Sequence, residues 1–245
     1  MPTRYRPLIF KRMFESWRAN SVCSDLIIGL QNDDEDLAEY LKVIAGEPAD
    51  KSYYIMLDNI GLAGKYNELY RQFPNYEAYA LLNDDHIFRT PNWDSLIMAR
   101  LKSLQEKQGH KLHIISWQDG WMNDLMPAGF CTKELLEIIK TPCPVGYMSH
   151  VFIDNTYQML AGFAGIGEYM PEIMIEHMHP EKGKGEIDKN YTGHLQKFDY
   201  DYDGYMRWLR EKCLENVEEI FARKKLAYNN LSIKGAAGTC TANVL

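Results

Sequence analysis

The sequence predicts an α/β protein whose mixed, mainly parallel sheet is flanked by helices. Short apolar runs that read as buried strands alternate with segments whose apolar positions recur at three and four, and no internal repeat breaks the alternation. The size fits as well, since 245 residues, 46% apolar and 25% charged, can bury one large core. The expected organisation is a single domain over 1–228, with a first half (1–110), a second half (111–200) and a C-terminal helix (201–228). A flexible tail (229–245), rich in Gly, Ala, Ser and Thr, follows.

Pro7 opens the first helix, where a missing N–H costs nothing. Ile9, Phe10, Met13, Phe14 and Trp17 line one side of it, and Lys11, Arg12, Glu15 and Arg18 the other. "DLIIGL" reads as a buried strand that runs into the acidic cluster "QNDDED", and Leu37–Ala45 as a helix ended near Gly46. "YYIML" is the next strand, followed by a helix through "GKYNELYRQF". "YEAYALL" reads as strand, Trp93–Lys107 as a helix stopped at Gly109, "KLHIISW" as strand, and "TKELLEII" as a helix ended by Thr141-Pro142. Beyond these, "FIDNTYQMLAGF" reads as helix, "PEIMIEHMH" as strand, and Tyr205 to Lys225 as a long charged amphipathic helix.

Lysine and arginine number 27 against 34 aspartates and glutamates, a formal net charge of −7. That balance argues against adhesion of the whole surface to nucleic acid or anionic membrane, and leaves local basic stretches at Lys182–Lys189 and Arg223–Lys225. No apolar run approaches the roughly 20 residues of a membrane span. "MPTRYRPLIF" lacks the apolar stretch of a signal peptide, so a soluble, cytoplasmic protein is expected. The five cysteines are scattered with no C-x-x-C pair, which suits a reducing cytosol and disfavours a disulfide framework or a cysteine zinc site.

Three expected strands end in polar groups: Asp33 and Asp34 follow one, Asp84 and Asp85 another, His177 and His179 a third. Adjacent carboxylates at the end of a core strand repel unless a cation or several donors compensate them. In open α/β sheets ligands bind beyond the carboxyl ends of the strands, so this edge is the expected site. Carboxylate oxygens suit Mg²⁺ or Mn²⁺, and an added imidazole favours Mn²⁺. Each piece also has an ordinary use. Asp84 and Asp85 can cap the turn before Thr90-Pro91, and an isolated His-x-His can be one core and one surface histidine. Asp154 can be an N-cap, Lys65 and Asn67 solvated helix residues, and Trp117 and Trp121 core or sugar-stacking aromatics.

Taken in order along the chain, "PTRYRP", "QNDDED", "GLAGKYNELY" and "LNDDHIF" resemble the GT-A glycosyltransferases, in particular their inverting, family-2-like branch with metal-dependent nucleotide-sugar donors. The resemblance covers about Pro2 to Thr192. It implies the GT-A, Rossmann-like fold, a donor that is most commonly a UDP-sugar, and Mn²⁺ or Mg²⁺ as cofactor. The implied acceptor bears a hydroxyl: a glycan, a small molecule, or a hydroxymethylated base of viral DNA. The resemblance nominates Thr3, Arg4 and Arg6 for the nucleoside pocket, Asp33 with its neighbour Asp34 for the base, and Lys65 and Asn67 for base and ribose. It nominates Asp85 for the metal and Asp84 for the ribose or as a second metal contact, in a motif that reads as a degenerate Asp-x-Asp or as Asp-x-His. His177 and His179, which point to one face of their expected strand, are further metal ligands ahead of His86. Lys182 and Lys184 would cover the diphosphate. "SHVFIDNTYQ" resembles the helix start that carries the base of inverting members, which gives Asp154 that role, with Asp119 of "WQDGW" as its rival. The first half is then the donor half and the second the acceptor and metal half.

The strand that this family places ahead of the Pro-Thr-x-x-Arg-Pro loop has no counterpart before Pro2. The alternative on the same sheet is a nucleotidyltransferase, or a nucleotide-sugar-binding protein without turnover. The lack of glycine in "PTRYRP" disfavours the first, and the second would have no need of Asp154.

Overall fold

Periodicity places the helices well. The computed structural model describes residues 1–46, 51–120, 129–185 and 187–238. Helix α1 (Pro7–Asn20) starts on its proline and buries Phe10, Met13, Phe14 and Trp17. It is followed by β1 (Leu26–Gln31), α2 (Leu37–Ala45), β2 (Ser52–Leu57) and α3 (Gly61–Gln72). The short strands β3 (Ala78–Ala80) and β4 (His86–Phe88) come next, then α4 (Trp93–Gln108), which ends on Gly109 at φ 72°. The chain continues through β5 (Ile114–Gln118), β6 (Phe130–Thr132), α5 (Lys133–Ile139), α6 (Ile153–Ala164) and β7 (Gly167–His177). After a 3-10 turn (Pro180–Lys182) and α7 (Lys189–Leu195), helix α8 (Phe198–Trp208) passes through a π turn (Leu209–Cys213) into α9 (Leu214–Gly238). That last helix runs on through the start of the segment expected as a tail.

The strand directions correct the expectation of a mainly parallel sheet. β1 and β2 form a parallel pair. The other five strands lie in the order β3-β6-β5-β7-β4, and only β5 and β7 among them are parallel; the remaining three pairings are antiparallel. The sheet is mixed and mostly antiparallel. Three-residue strands such as β3, β4 and β6 carry no periodicity, and direction belongs to the pairing rather than to the local pattern. The Pro-Thr loop itself, rather than a strand ahead of it, meets β1 through an isolated bridge. Pro2 bridges Gly29 in parallel, the Gly29 N–H donates to the Met1 carbonyl at 2.9 Å, and the Thr3 N–H donates to the Gly29 carbonyl at 3.1 Å.

Helices cover both faces of the larger sheet. Alternate residues of β5 point apart: Ile115 and Trp117 pack with Phe10, Phe14 and Trp93, while Ile114 packs with Leu135, Tyr157 and Ile220. Trp117 is therefore a core residue, edge-on to Trp93 with centroids 6.3 Å apart; Trp121 lies outside the described residues. Register slips between β5 and β7 after Trp117, at the stretch of β7 that holds Pro171. The strand then goes on to pair with β4, setting His177 opposite His86. Among the described residues no helix is long and apolar enough to cross a membrane.

One carboxylate fixes the α1–β1 loop. Asp94, buried in the first turn of α4, accepts from the backbone N–H groups of Val22 (3.0 Å), Cys23 (2.7 Å) and Ser24 (2.6 Å). Burial pushes its pKa up, but these backbone donors outweigh burial and hold it below the ordinary value. A depressed carboxylate contributes stability above its unfolded pKa, near 3.9, and loses it as pH falls through the lower folded value. Asp94→Asn is expected to cost about 2 kcal/mol at pH 7 in urea unfolding, with the gap to the parent chain closing below about pH 4.

Candidate active site

The turn between β3 and β4 carries Asp84 and Asp85, and the structure supplies the compensation that two adjacent carboxylates need. The Arg6 guanidinium stands 3.2 Å from Asp84 Oδ1 and 3.5 Å from Asp85 Oδ2, and it also holds Asp188 through two hydrogen bonds of 2.5 and 2.9 Å. The Thr3 hydroxyl donates to the other Asp84 oxygen at 2.7 Å. Burial raises the Asp84 pKa against the opposing pull of Arg6. Burial acts the same way on Asp85, but the His177 imidazole outweighs it and holds that carboxyl well below the usual range. Two neighbouring carboxylates are thus pushed in opposite directions.

Asp85, His86 and His177 each offer a ligating atom within 4.8 Å of the others. The Asp85 Oδ1 atom is buried and finds no hydrogen-bond donor among the described residues, with His177 Nε2 standing 3.5 Å away. An orphaned carboxylate oxygen beside an imidazole fits a divalent cation. The three imidazoles differ in what they can offer. His86 Nδ1 accepts the Asn83 N–H at 3.2 Å, so the neutral ring carries its proton on Nε2, and burial lowers its pKa to about 3. His179 Nδ1 likewise accepts the Glu181 N–H at 3.3 Å. Asp85 and His177 are the donors best placed for a cation, and His179, expected as a ligand, lies one ring further out, 5.1 Å from His177 between centroids.

A cleft of about 660 Å³ opens on this group. Thr3, Arg4, Arg6, Lys65, Asp84, Asp85, Asp154, His177 and His179 all line it, as nominated from the sequence. Lys65 is 9% exposed; burial and the neighbouring Arg4 charge lower its pKa to about 8. Asp154 sits in the first turn of α6, whose N-cap, Phe152, adopts φ 66° and stacks on Tyr205 at 5.4 Å. A bulky residue in that region is strained and is held there by its packing.

Four nominated residues lie elsewhere. Asp33 is exposed and does not line the cleft but pairs with Arg4 at 2.7 Å, while buried Asp34 accepts the Tyr5 N–H at 2.9 Å and so shapes the turn that presents Arg4 and Arg6. Asn67 faces away from the cleft: both ends of its amide bond the Cys143 backbone, at 2.9 and 2.8 Å. Lys184 pairs with Glu176 at 2.6 Å, and Lys182 lies in the 3-10 turn, neither lining the cleft. The basic segment enters through Lys189 instead, tied down by Asp188 on Arg6 and by the Asn190 amide on the Arg4 carbonyl. Asp119, the rival base, is buried and does not line the cleft.

Sequence reasoning missed the anchor of the Asp154 side. Asp201, fully buried in α8, accepts from the N–H groups of Ser149 (2.7 Å), His150 (2.8 Å) and Val151 (2.9 Å). The Ser149 carbonyl in turn accepts the Ala63 N–H at 3.0 Å, so α3, α6 and α8 are tied through one loop. Gly204, one turn after Asp201, lets α8 approach that loop, since a Cβ there would lie 1.7 Å from the Tyr147 carbonyl oxygen. The Asp-x-x-Gly spacing within "DYDYDGY" was the available signal.

No protein-family model and no curated protein matches the chain. Among solved structures its fold is similar to that of the mannosyltransferase PcManGT from Pyrobaculum calidifontis, determined in complex with GDP-Man and Mn2+. The TM-score is 0.62 at 10% identity, over 99% of this chain and 74% of that one. The likeness supports a GT-A type of fold.

The Gly204 contact reverses the usual sign of a helix substitution. Gly204→Ala removes a poor helix former, worth about 1 kcal/mol of stabilisation in an open helix, but it is expected to lower stability by about 1–3 kcal/mol through overpacking on Tyr147. Thermal unfolding of the two chains measures the sign.

Proposed function

We propose that the chain transfers a sugar from a nucleoside diphosphate sugar, a UDP-sugar first, to a hydroxyl-bearing acceptor by direct displacement with inversion. The observation that supports it best is the convergence, in one cleft, of a cation-type pair (Asp85, His177), two basic side chains (Arg4, Lys65) and a separate carboxylate at a helix start (Asp154). The solved structure of similar fold holds GDP-Man and Mn2+, so a guanosine donor is the comparison ligand.

Mn²⁺ or Mg²⁺ bound at Asp85 and His177 would supply the charge neutralisation that a departing diphosphate needs. Lys65 and Arg4, which line the same cleft, would face that negative charge as well. Arg6 is engaged with three carboxylates, so its role is to hold Asp84 and Asp85 in place, and Thr3 assists through Asp84. Asp154 accepts the acceptor's proton as its oxygen attacks, when the hydroxyl has become acidic enough for a carboxylate to take it. The closed segment around Asp188 and Asn190 limits water at the donor.

A melting-temperature panel of UDP, GDP and their sugars with Mn²⁺, Mg²⁺ or EDTA tests the proposal. A ligand at 100 times its Kd adds about 2.7 kcal/mol, a shift of a few degrees. A metal-dependent shift is expected in the parent chain and in Asp154→Asn, and none in Asp85→Ala or His177→Ala; transfer is lost in all three variants. No shift with any nucleotide under any metal overturns the proposal.

The charge state of Lys65 gives an independent test. Its pKa is lowered to about 8, and a bound diphosphate favours the protonated form, so affinity is expected to fall as pH rises through about 8. Lys65→Arg keeps its charge and removes that fall, whereas Lys65→Ala weakens binding by about tenfold to a hundredfold at pH 7. Titration calorimetry at pH 7 and pH 9 distinguishes the three chains.

A further inference from the structure

Asp154 follows two residues after Phe152, and the Phe152 ring gathers three aromatic side chains of α8. The centroids of Phe198, Tyr202 and Tyr205 lie 5.1, 5.7 and 5.4 Å from its own. Their spacing of four and three puts them on one face of the helix. At the inner end of that face Tyr205 stacks on buried Trp208 at 6.2 Å and packs against the core. The outer two stay open, Phe198 at 48% exposure and Tyr202 at 46%. Phe152 and Phe198 line the cleft that holds Asp154, whereas Tyr202, one turn further along α8, does not. An aromatic surface therefore starts inside the cleft and leads out of it.

These rings are held before any ligand arrives. Asp201 and Gly204 fix α8 on the loop that runs into Phe152, so stacking on the rings costs little ordering. The face of an aromatic ring carries partial negative charge and attracts C–H groups. A sugar ring offers such a face, with C–H bonds on one side and hydroxyls around its rim. A nucleobase also stacks, but the flanking charges tell against a nucleic acid. Asp199 and Asp203, both exposed, follow Phe198 and Tyr202 along α8; they repel a phosphodiester backbone and accept hydrogen bonds from hydroxyls. The neighbouring cation, Lys197, lines the cleft. Four helical residues advance about 6 Å, comparable with the step from one sugar to the next in a linear chain.

We propose that Phe198 and Tyr202 form the platform for a linear, uncharged oligosaccharide acceptor. Its terminal sugar lies on Phe198 within the cleft and the next on Tyr202 outside it, with Phe152 holding both rings in place. The consequence of binding rests on the sugar-transfer reading. The terminal sugar's hydroxyl oxygen forms the new bond to the donor's anomeric carbon, and its proton passes to Asp154. The nucleoside diphosphate leaves with the electron pair of the broken C–O bond. Phe198 and Tyr202 select and position the acceptor.

Calorimetric titration of the full chain without nucleotide tests the platform. The probes are linear tetrasaccharides of glucose, mannose, galactose and N-acetylglucosamine, the four monosaccharides, and a thymidine tetranucleotide. At least one tetrasaccharide is expected to bind, about tenfold more tightly than its monosaccharide and about tenfold more weakly in Phe198→Ala or Tyr202→Ala. Phe198→Tyr, which keeps a ring there, recovers most of that loss. Tyr200→Ala, exposed on another face of α8, leaves the affinity unchanged. The melting temperature of each variant without ligand reports its folding. No binding of any tetrasaccharide overturns the proposal, as does an affinity that survives in both alanine variants, or tighter binding of the tetranucleotide. Tetrasaccharide binding with no melting shift on any nucleotide keeps the platform and removes the transfer; a metal-dependent nucleotide shift with no tetrasaccharide binding does the reverse.

Discussion

Two adjacent carboxylates buried at the end of a strand set the condition that the rest of the site meets. Two like charges about 4 Å apart repel by about 4 kcal/mol at an effective dielectric of 20, so Asp84 and Asp85 need a permanent counter-charge. Arg6 provides it, and because it also binds Asp188 it links the N-terminal turn, the β3–β4 turn and the segment before α7. Arginine suits this position, since one planar group reaches three carboxylates. With Arg6 and Thr3 compensating Asp84, the Oδ1 atom of Asp85 is the one left for an added cation.

The Asp154 side of the cleft is built with a different device, which also occurs away from the cleft at Asp94. Asp94 gathers the N–H groups of Val22 to Ser24, and Asp201 those of Ser149 to Val151. Each time, a buried carboxylate on a helix accepts three successive backbone donors from a loop. Such an arrangement satisfies three backbone donors of a loop and the buried carboxylate together. At Asp201 the loop leads into α6, so the position of Asp154 depends on α8, far along the chain. The cleft is therefore anchored from two sides by different chemistry, a guanidinium among carboxylates and a carboxylate among amides.

Much of this was legible in the sequence, for identifiable reasons. Leu37–Ala45 is a helix with the expected bounds, because its apolar spacing and Gly46 act locally. Asp85 and His177 stood out because polar groups ended apolar runs. β6 had no such mark: three residues next to a helix start show no alternation. The same locality explains the site residues that went astray. Lys184 and Lys189 share one basic segment, and only the folded chain sends the first to Glu176 and the second to the cleft. Nothing near Asn67 foretells Cys143 as its partner. Asp201 is one of three aspartates in "DYDYDGY", and burial distinguishes it from Asp199 and Asp203, a property of the tertiary structure.

Thr3 joins the site to the framework of the sheet. Its N–H completes the parallel rung on Gly29, and its hydroxyl holds Asp84, so one residue transmits the position of β1 to the carboxylate pair. Gly29 is suited to that contact from the β2 side as well, where an added Cβ would meet Leu57 at 2.4 Å. Asp34 fixes the next residue, Tyr5, and the Tyr40 hydroxyl accepts the Arg6 N–H at 2.6 Å. Four successive residues are thus tied to β1, the β1–α2 loop and α2: Thr3 and Arg6 by their backbones, Arg4 through Asp33, and Tyr5 through Asp34. A turn held at every residue loses little entropy when a ligand arrives, which is the physical requirement for a binding wall made of loop residues.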